Sequence, residues 1–414
     1  MGKRCPYMYE GASFIKIEKP SITGVRGFQA AGVYCGLKKS GRDMALLFSE
    51  QAAVAAGVYT RNLVQAAPVH LCRAHMSNPI RAIVVNSGNA NACTGEQGLE
   101  SAREMAALTA AELAIRPEEV LVCSTGVIGE QLPMEKVRAG ISRAAAALSG
   151  EPAAGREAAE AILTTDTRAK LAAYRGCLPA GEFTLAGMAK GAGMICPNMA
   201  TMLAFIVTDV KISRALLQRV FEQAVESSFN LITVDGDTST NDTALILANG
   251  AHSGVEIGEY SPALELFAGL LDRVCRELAY QIVSDGEGIT KVIALTVQGA
   301  PNKAAARTLA RAVLNSPLVK TAFYGEDANW GRIIAALGYA GIDFDPSRVD
   351  ISIGPVPVAS GGGAVPFRKD AVKAVLKQRE VPVLVNLNDG GAAVTAWGTD
   401  LTHEYISINS NYRT

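Results

Sequence analysis

The chain has 414 residues, of which 49% are apolar and 19% charged, proportions that exclude a disordered or collagen-like polymer and leave room for a large core. Its 39 Lys and Arg stand against 40 Asp and Glu, so no basic field is available to hold a phosphate backbone and no nucleic-acid partner is expected. Forty glycines and only 6% aromatic residues imply many tight turns, a core of small aliphatic side chains, and functional groups carried on loops. Eight cysteines, Cys5, Cys35, Cys72, Cys93, Cys123, Cys177, Cys196 and Cys275, include no C-x-x-C pair and read as reduced thiols.

In chain order, the segment from Met1 to Pro20 carries Lys3, Arg4, Lys16 and Lys19 but no apolar run of the secretory kind, and Pro6 stands where myristoylation after Gly2 would need Ser or Thr. Short apolar runs bounded by Gly, Asn or Asp predict strands over Ala82–Val85, Val120–Cys123, Leu203–Thr208, Ala244–Leu247, Val292–Val297, Val349–Ile353, Val381–Val385 and Tyr405–Ile408. Helices are predicted over Glu100–Ile115 and across the Ala-rich stretch Val137–Leu163. Leu216, Leu217, Val220, Phe221, Ala224 and Val225 follow a 3.6-residue period behind Ser213, a good N-cap. Pro262 opens another helix after Ser261, with Phe267, Leu270, Leu271, Val274, Cys275 and Leu278 on its core face. The uncharged run Gly191–Thr208 reaches spanning length, but Gly191, Gly193, Pro197 and Asn198 would break a membrane helix. The expectation is a mixed α/β protein in the cytoplasm with no membrane partner.

The most unusual segment is Lys190-Gly191-Ala192-Gly193-Met194-Ile195-Cys196-Pro197-Asn198-Met199-Ala200-Thr201-Met202-Leu203, a glycine-rich loop that delivers a hydroxyl residue to the start of a strand. A phosphate loop needs its lysine after the second glycine, and here Lys190 precedes both. A plain turn feeding a buried strand explains the glycines and the proline but not the threonine. A threonine nucleophile explains it: a hydroxyl needs a base, and a threonine exposed as a new N-terminus supplies its own α-amine, with a pKa of about 7.7–8.0. Only four histidines, His70, His75, His252 and His403, are present, and none sits in a G-x-S-x-G or cysteine-nucleophile motif. The acidic run Asp235–Asp242 fails as a calcium loop, because Thr240 and Ile246 stand where Gly and Glu are required; it reads as a turn network, and no metal is expected.

The loop Lys190–Leu203 closely resembles the self-cleavage motif of the ornithine acetyltransferase family, the bifunctional glutamate N-acetyltransferases of arginine biosynthesis. The likeness runs over nearly the whole chain, through Gly57-Val58-Tyr59-Thr60, Ala66-Ala67-Pro68, Asn86-Ser87-Gly88-Asn89-Ala90-Asn91, Thr125-Gly126, Thr164-Thr165-Asp166-Thr167, Thr233 to Asp242, Asp285-Gly286-Glu287-Gly288 and Gly325 to Arg332. The resemblance implies a layered αββα sandwich of the N-terminal-nucleophile type, cleaved by itself between Ala200 and Thr201 into an α chain, 1–200, and a β chain, 201–414, that form one intertwined unit and assemble as a heterotetramer.

The same resemblance assigns roles. Thr201 would be the nucleophile that takes an acetyl group from N-acetylornithine and passes it to glutamate, with Thr125 and Gly126 as the oxyanion hole. Lys190, Thr164 (with Thr165 one register away), Glu287, Asn409 and Thr414 would bind substrate, Lys190 holding a carboxylate and Glu287 an amino group. No cofactor is implied, and acetyl-CoA enters only as a candidate second acetyl donor. Ala192 and Cys196, and the pair Ser410-Asn411, depart from the usual family residues, which touches fine specificity rather than the nucleophile. The alternative is a peptidase or amidase of the same nucleophile class, in which water rather than an amine resolves the acyl-enzyme.

Overall fold

A computed structural model describes residues 13–179, 181–196, 202–252 and 255–411. Its organising element is the 16-residue strand Met44–Tyr59, which serves two sheets. The first half pairs with Phe28–Val33 and Ile80–Asn89, and Ile80–Asn89 pairs in parallel with Val120–Val127. The second half pairs with Thr243–Ala248, from which the ladder continues through Leu203–Thr208, Gly181–Lys190, Lys170–Leu178 and Ser13–Lys16.

Side chains alternate between the faces of these strands and so define four layers. Leu203, Phe205 and Val207 point into a core shared with Ala45, Leu47, Ile83, Val85, Leu121 and Cys123, which lies between the two sheets. Ala204 and Ile206 point the other way, toward the helices Arg214–Glu226 and Pro262–Val283. On the far side, Met44, Leu46, Val84 and Val122 pack under Gly95–Leu113 and Met134–Ala146. The arrangement is the expected αββα sandwich. Leu203–Thr208 is buried on both faces, and it and Thr243–Ala248 lie side by side between strands from before position 201.

Residues 292–399 add a six-stranded sheet with a core of its own, under Lys303–Asn315, Pro317–Tyr324, Trp330–Gly338 and Lys369–Leu376. It joins the sandwich at Trp397, which packs against both cores and whose carbonyl accepts from the Thr233 amide at 2.9 Å.

The predicted helix caps form: the Ser213 hydroxyl accepts from the Leu216 amide and the Ser261 hydroxyl from that of Leu264. Two expectations are corrected. Val137–Leu163 is not one helix but two, Met134–Ala146 and Pro152–Ala161, because Ser149 is drawn off by a pair of backbone bonds with Ala30 and Pro152 starts a new helix at its first position. Tyr405–Ile408 is not a strand but part of the helix His403–Asn411, whose start is secured by the Thr402 hydroxyl accepting from the Tyr405 amide at 3.1 Å. The seven described cysteines are free thiols. Among the described residues no helix is long and apolar enough to cross a membrane.

Candidate active site

A cleft of about 190 Å³, of a size for an amino acid, opens where the two sheets meet the C-terminal helix. Thr125, Gly126, Thr164, Lys190, Glu287 and Asn409 all line it, and so does Thr165. Ala200, Thr201 and Thr414 lie outside the described residues. No histidine lines the cleft among the described residues, and none of the His, Cys, Asp and Glu there cluster as a metal site.

Thr125 and Gly126 stand at the end of Val120–Val127. Gly126 has φ +135°, and a Cβ there would lie 2.3 Å from the Gly88 carbonyl carbon and 2.5 Å from the Asn89 nitrogen, so only glycine permits this close approach of two backbones. The segment is braced from behind: the Ser124 hydroxyl donates to Asn86 Oδ1 at 2.6 Å, and the buried Asn241 amide donates to the carbonyls of Ala90 and Ser124 at 2.6 and 2.8 Å.

Lys190 ends the strand Gly181–Lys190 and is 5% exposed. It faces Asp166 at 3.9 Å; Asp166 also accepts from the Gly191 amide at 2.5 Å and pairs with Lys170 at 2.6 Å, while Lys170 reaches Asp285 at 2.7 Å. Burial would raise the Asp166 carboxyl, but Lys190 and Lys170 outweigh it and bring it down to about 2. Burial acts the other way on Lys190 and lowers its ammonium below the usual lysine value against the pull of Asp166. Lys190 is therefore a buried cation with a partner and a free approach to the cleft, not a solvated surface lysine.

The opposite wall is acidic. Glu287 is 7% exposed and accepts from Asn409 Nδ2 at 2.8 Å. Its carboxyl lies so close over the glycine loop that a Cβ on Gly193 would be 2.4 Å from each of its two oxygens. Asp235 accepts from the amides of Met194 and Ile195 at 2.6 and 2.9 Å and from the Tyr405 hydroxyl at 3.3 Å. Burial pushes the Asp235 carboxyl above its ordinary value. Met194 holds φ +56°, a left-handed turn fixed by these bonds. Tyr405 and Asn409, four residues apart, share one face of the last helix and enter the cleft together.

The motif reading therefore places six residues in one cleft from widely separated parts of the chain. It missed Asp235, Asp237, Ser239 and Asn241, taken as a turn network near the site; they line the cleft itself. It also missed Tyr405, whose helical period to Asn409 was the available signal. The result is a small-molecule site with one cation among the described residues, several carboxylates and a strand-end turn able to present a hydroxyl and an amide, a combination suited to an acyl group on an amino acid.

The ArgJ family model matches residues 29–414. The Arginine biosynthesis bifunctional protein ArgJ of Symbiobacterium thermophilum is 51% identical over 95% of this chain and 98% of its own, and that of Thermotoga neapolitana is 49% identical over 94% and 99%. An ornithine acetyltransferase from Mycobacterium tuberculosis, solved with ornithine, is 39% identical over 45% of this chain and 99% of that one, with a TM-score of 0.42. With a family match across almost its full length and relatives at half identity end to end, this chain belongs to the ArgJ family, the acetyltransferases of arginine biosynthesis.

Proposed function

We propose that the chain moves the acetyl group of N-acetylornithine to glutamate through an acetyl-Thr201 intermediate, after cutting itself between Ala200 and Thr201. The observation that carries this reading is the convergence of Thr125, Gly126, Lys190, Glu287 and Asn409 on one cleft beside the strand that follows Thr201. Thr201 Oγ attacks the acetyl carbonyl, with its own α-amine as base. The Thr125 hydroxyl and Gly126 amide take the oxyanion, each such donor being worth about 2.7–4 kcal/mol in the transition state. Lys190 holds the substrate α-carboxylate, and Glu287, oriented by Asn409, holds the ornithine side-chain amine. Ornithine departs, glutamate enters, and its amine resolves the acetyl-enzyme to N-acetylglutamate.

In this reading the α chain, 1–200, and the β chain, 201–414, remain one unit that pairs into a heterotetramer, with Thr414 also reaching the substrate. The word bifunctional in the relatives' names supports acetyl-CoA as a second donor to Thr201. The test is a mass balance with N-acetylornithine and glutamate: equimolar ornithine and N-acetylglutamate support the reading. Free acetate without N-acetylglutamate would identify a hydrolase instead. Thr201→Ala should abolish both cleavage and turnover, seen by denaturing mass spectrometry, and acetyl-CoA with glutamate alone reads the second donor.

A further inference from the structure

Lys320, on the helix Pro317–Tyr324, has no part in the transfer described above, yet it is 4% exposed and lies behind the acidic wall of the cleft. Its ammonium donates to the Val234 carbonyl at 2.6 Å, to the Thr399 carbonyl at 2.6 Å and to the Thr399 hydroxyl at 3.0 Å. All three of its protons are spent on oxygens of the protein, none of them a carboxylate. The Thr399 hydroxyl in turn donates to the Val234 carbonyl at 3.1 Å, which closes the network. Burial lowers the Lys320 ammonium to about 8, against the pull of Asp235 and Asp400. It is therefore still a cation at neutral pH, with neither a spare proton nor a lone pair to offer a substrate.

The two carbonyls so joined lead to the cleft from different parts of the chain. Residues 232–234 run beside the strand Ala392–Thr399, bridging it at Trp397, and beyond that bridge the Val234 and Thr399 carbonyls turn toward one nitrogen. Carbonyl oxygens brought together in this way repel one another unless a donor stands between them, and a charged donor holds them most strongly. The Val234 carbonyl belongs to the peptide unit that carries Asp235 into the cleft, where Asp235 holds the amides of Met194 and Ile195. The Thr399 carbonyl opens the turn that leads into the last helix. In that turn Asp400 accepts from the Thr290 and Lys291 amides at 3.0 Å each, and the Thr402 hydroxyl donates to the Gly288 carbonyl at 2.7 Å. Tyr405 follows, and its hydroxyl returns to Asp235 at 3.3 Å.

We infer that Lys320 is a positioning residue: by fixing the Val234 and Thr399 carbonyls to one nitrogen it sets the spacing of Asp235 and Tyr405, and so the fit of the cleft to an amino-acid substrate. The inference rests on the substrates proposed above. Its bonds reach neither Thr125 and Gly126 nor Lys190, so its loss should weaken binding more than it slows the chemical step.

The test measures acetyl transfer from N-acetylornithine to glutamate, together with melting, for the wild type, Lys320→Met, Tyr405→Phe and the double variant. Lys320→Met keeps the apolar stem and removes the donors. KM for both substrates should rise about 10- to 100-fold, the range for a wall displaced by up to about 1 Å, with kcat within about threefold of wild type. In the Tyr405→Phe background, where the contact to Asp235 is already gone, Lys320→Met should raise KM much less. A lower Tm with KM unchanged, a fall in kcat alone, or the full rise in KM in the Tyr405→Phe background overturns the assignment. If Lys320→Met does not fold, Thr399→Val decides: it removes the hydroxyl that joins the ammonium to Val234 and should raise KM severalfold, and an unchanged KM removes the inference. If the wild type transfers no acetyl group, the proposed function falls and calorimetric titration with ornithine takes the place of kinetics. Weaker binding by Lys320→Met than by the wild type then supports the positioning role, whereas equal binding, or none by either, overturns it.

Discussion

Replacing Gly193 by alanine tests whether the position of the Glu287 carboxyl, rather than its presence, sets activity. The new Cβ would stand 2.4 Å from the carboxyl carbon and from both oxygens, whereas unbonded carbon and oxygen settle at roughly 3.5 Å. The carboxyl must retreat by about 1 Å, which stretches the 2.8 Å bond from Asn409 Nδ2 beyond hydrogen-bond range. The obstacle is the end of a flexible side chain, and Gly193 does not occupy the left-handed region, so the fold should tolerate the change. A 1 Å misplacement of a positioning group costs on the order of 10² in rate, or about 2.7 kcal/mol of transition-state stabilisation. We therefore expect kcat/KM for acetyl transfer to fall about 100-fold with Tm nearly unchanged. In a Glu287→Ala background the clash is gone, and Gly193→Ala should cost little further. Activity within about twofold of wild type, or an equal loss in the Glu287→Ala background, would refute the reasoning.

Other perturbations separate scaffold from site. Gly126→Ala meets backbone rather than a movable side chain, at a φ closed to other residues, and should destabilise by more than about 4 kcal/mol, read as loss of soluble protein or a collapse in Tm. Asn241→Ala leaves the Ala90 and Ser124 carbonyls without their donor; each buried polar group so orphaned costs about 1–3 kcal/mol, and calorimetry should show a lower Tm together with a lower kcat. The Asp166 carboxyl is depressed in the folded chain, so its contribution, of the order of 2 kcal/mol, is complete above the unfolded value near 3.9 and is lost as pH falls from there toward about 2. Lys190→Met removes one of the two cations responsible: acid unfolding should begin at higher pH, and KM for the carboxylate-bearing substrate should rise more than tenfold.

What was legible in the sequence follows from which signals are local. The capped helices after Ser213 and Ser261 announce themselves because cap and apolar period lie within one segment, joined in the second by the first-turn Pro262. Met44–Tyr59 gives no such notice: its many alanines blur the alternation, and its two halves face different sheets, so no single period describes it. The Ile-rich Tyr405–Ile408 has strand composition, but Ile406 is 58% exposed and it is Tyr405 and Asn409, one helical turn apart, that line the cleft, a requirement visible once the cleft exists. The site residues were legible as motifs, not as geometry. Sequence alone left Lys190 open to a surface reading, and its burial beside Asp166, Lys170 and Asp285 depends on strands and loops distant in the chain.

In the proposed cycle, that buried cluster lets one cleft serve two different amino acids. Lys170 is fully buried and spends its charge on Asp166 and Asp285, which lets Asp166 approach Lys190 without neutralising it: the separation is 3.9 Å, a distance of attraction rather than of a direct hydrogen bond. Lys190 thus keeps its donors for a carboxylate, the group that N-acetylornithine and glutamate have in common. In that proposed cycle the opposite wall accepts an ammonium in one half-reaction and a second carboxylate in the other. There the acids are softened: Asp235 is bonded by two amides and a tyrosine hydroxyl, and burial raises its pKa, while Glu287 carries the Asn409 amide as a neutral donor that a carboxylate can also use. In the proposed cycle the carboxylate end is fixed by charge and the variable end is read through groups that can change partners. The fold supports this division by placing Lys190 on a central strand and Asn409 on the terminal helix.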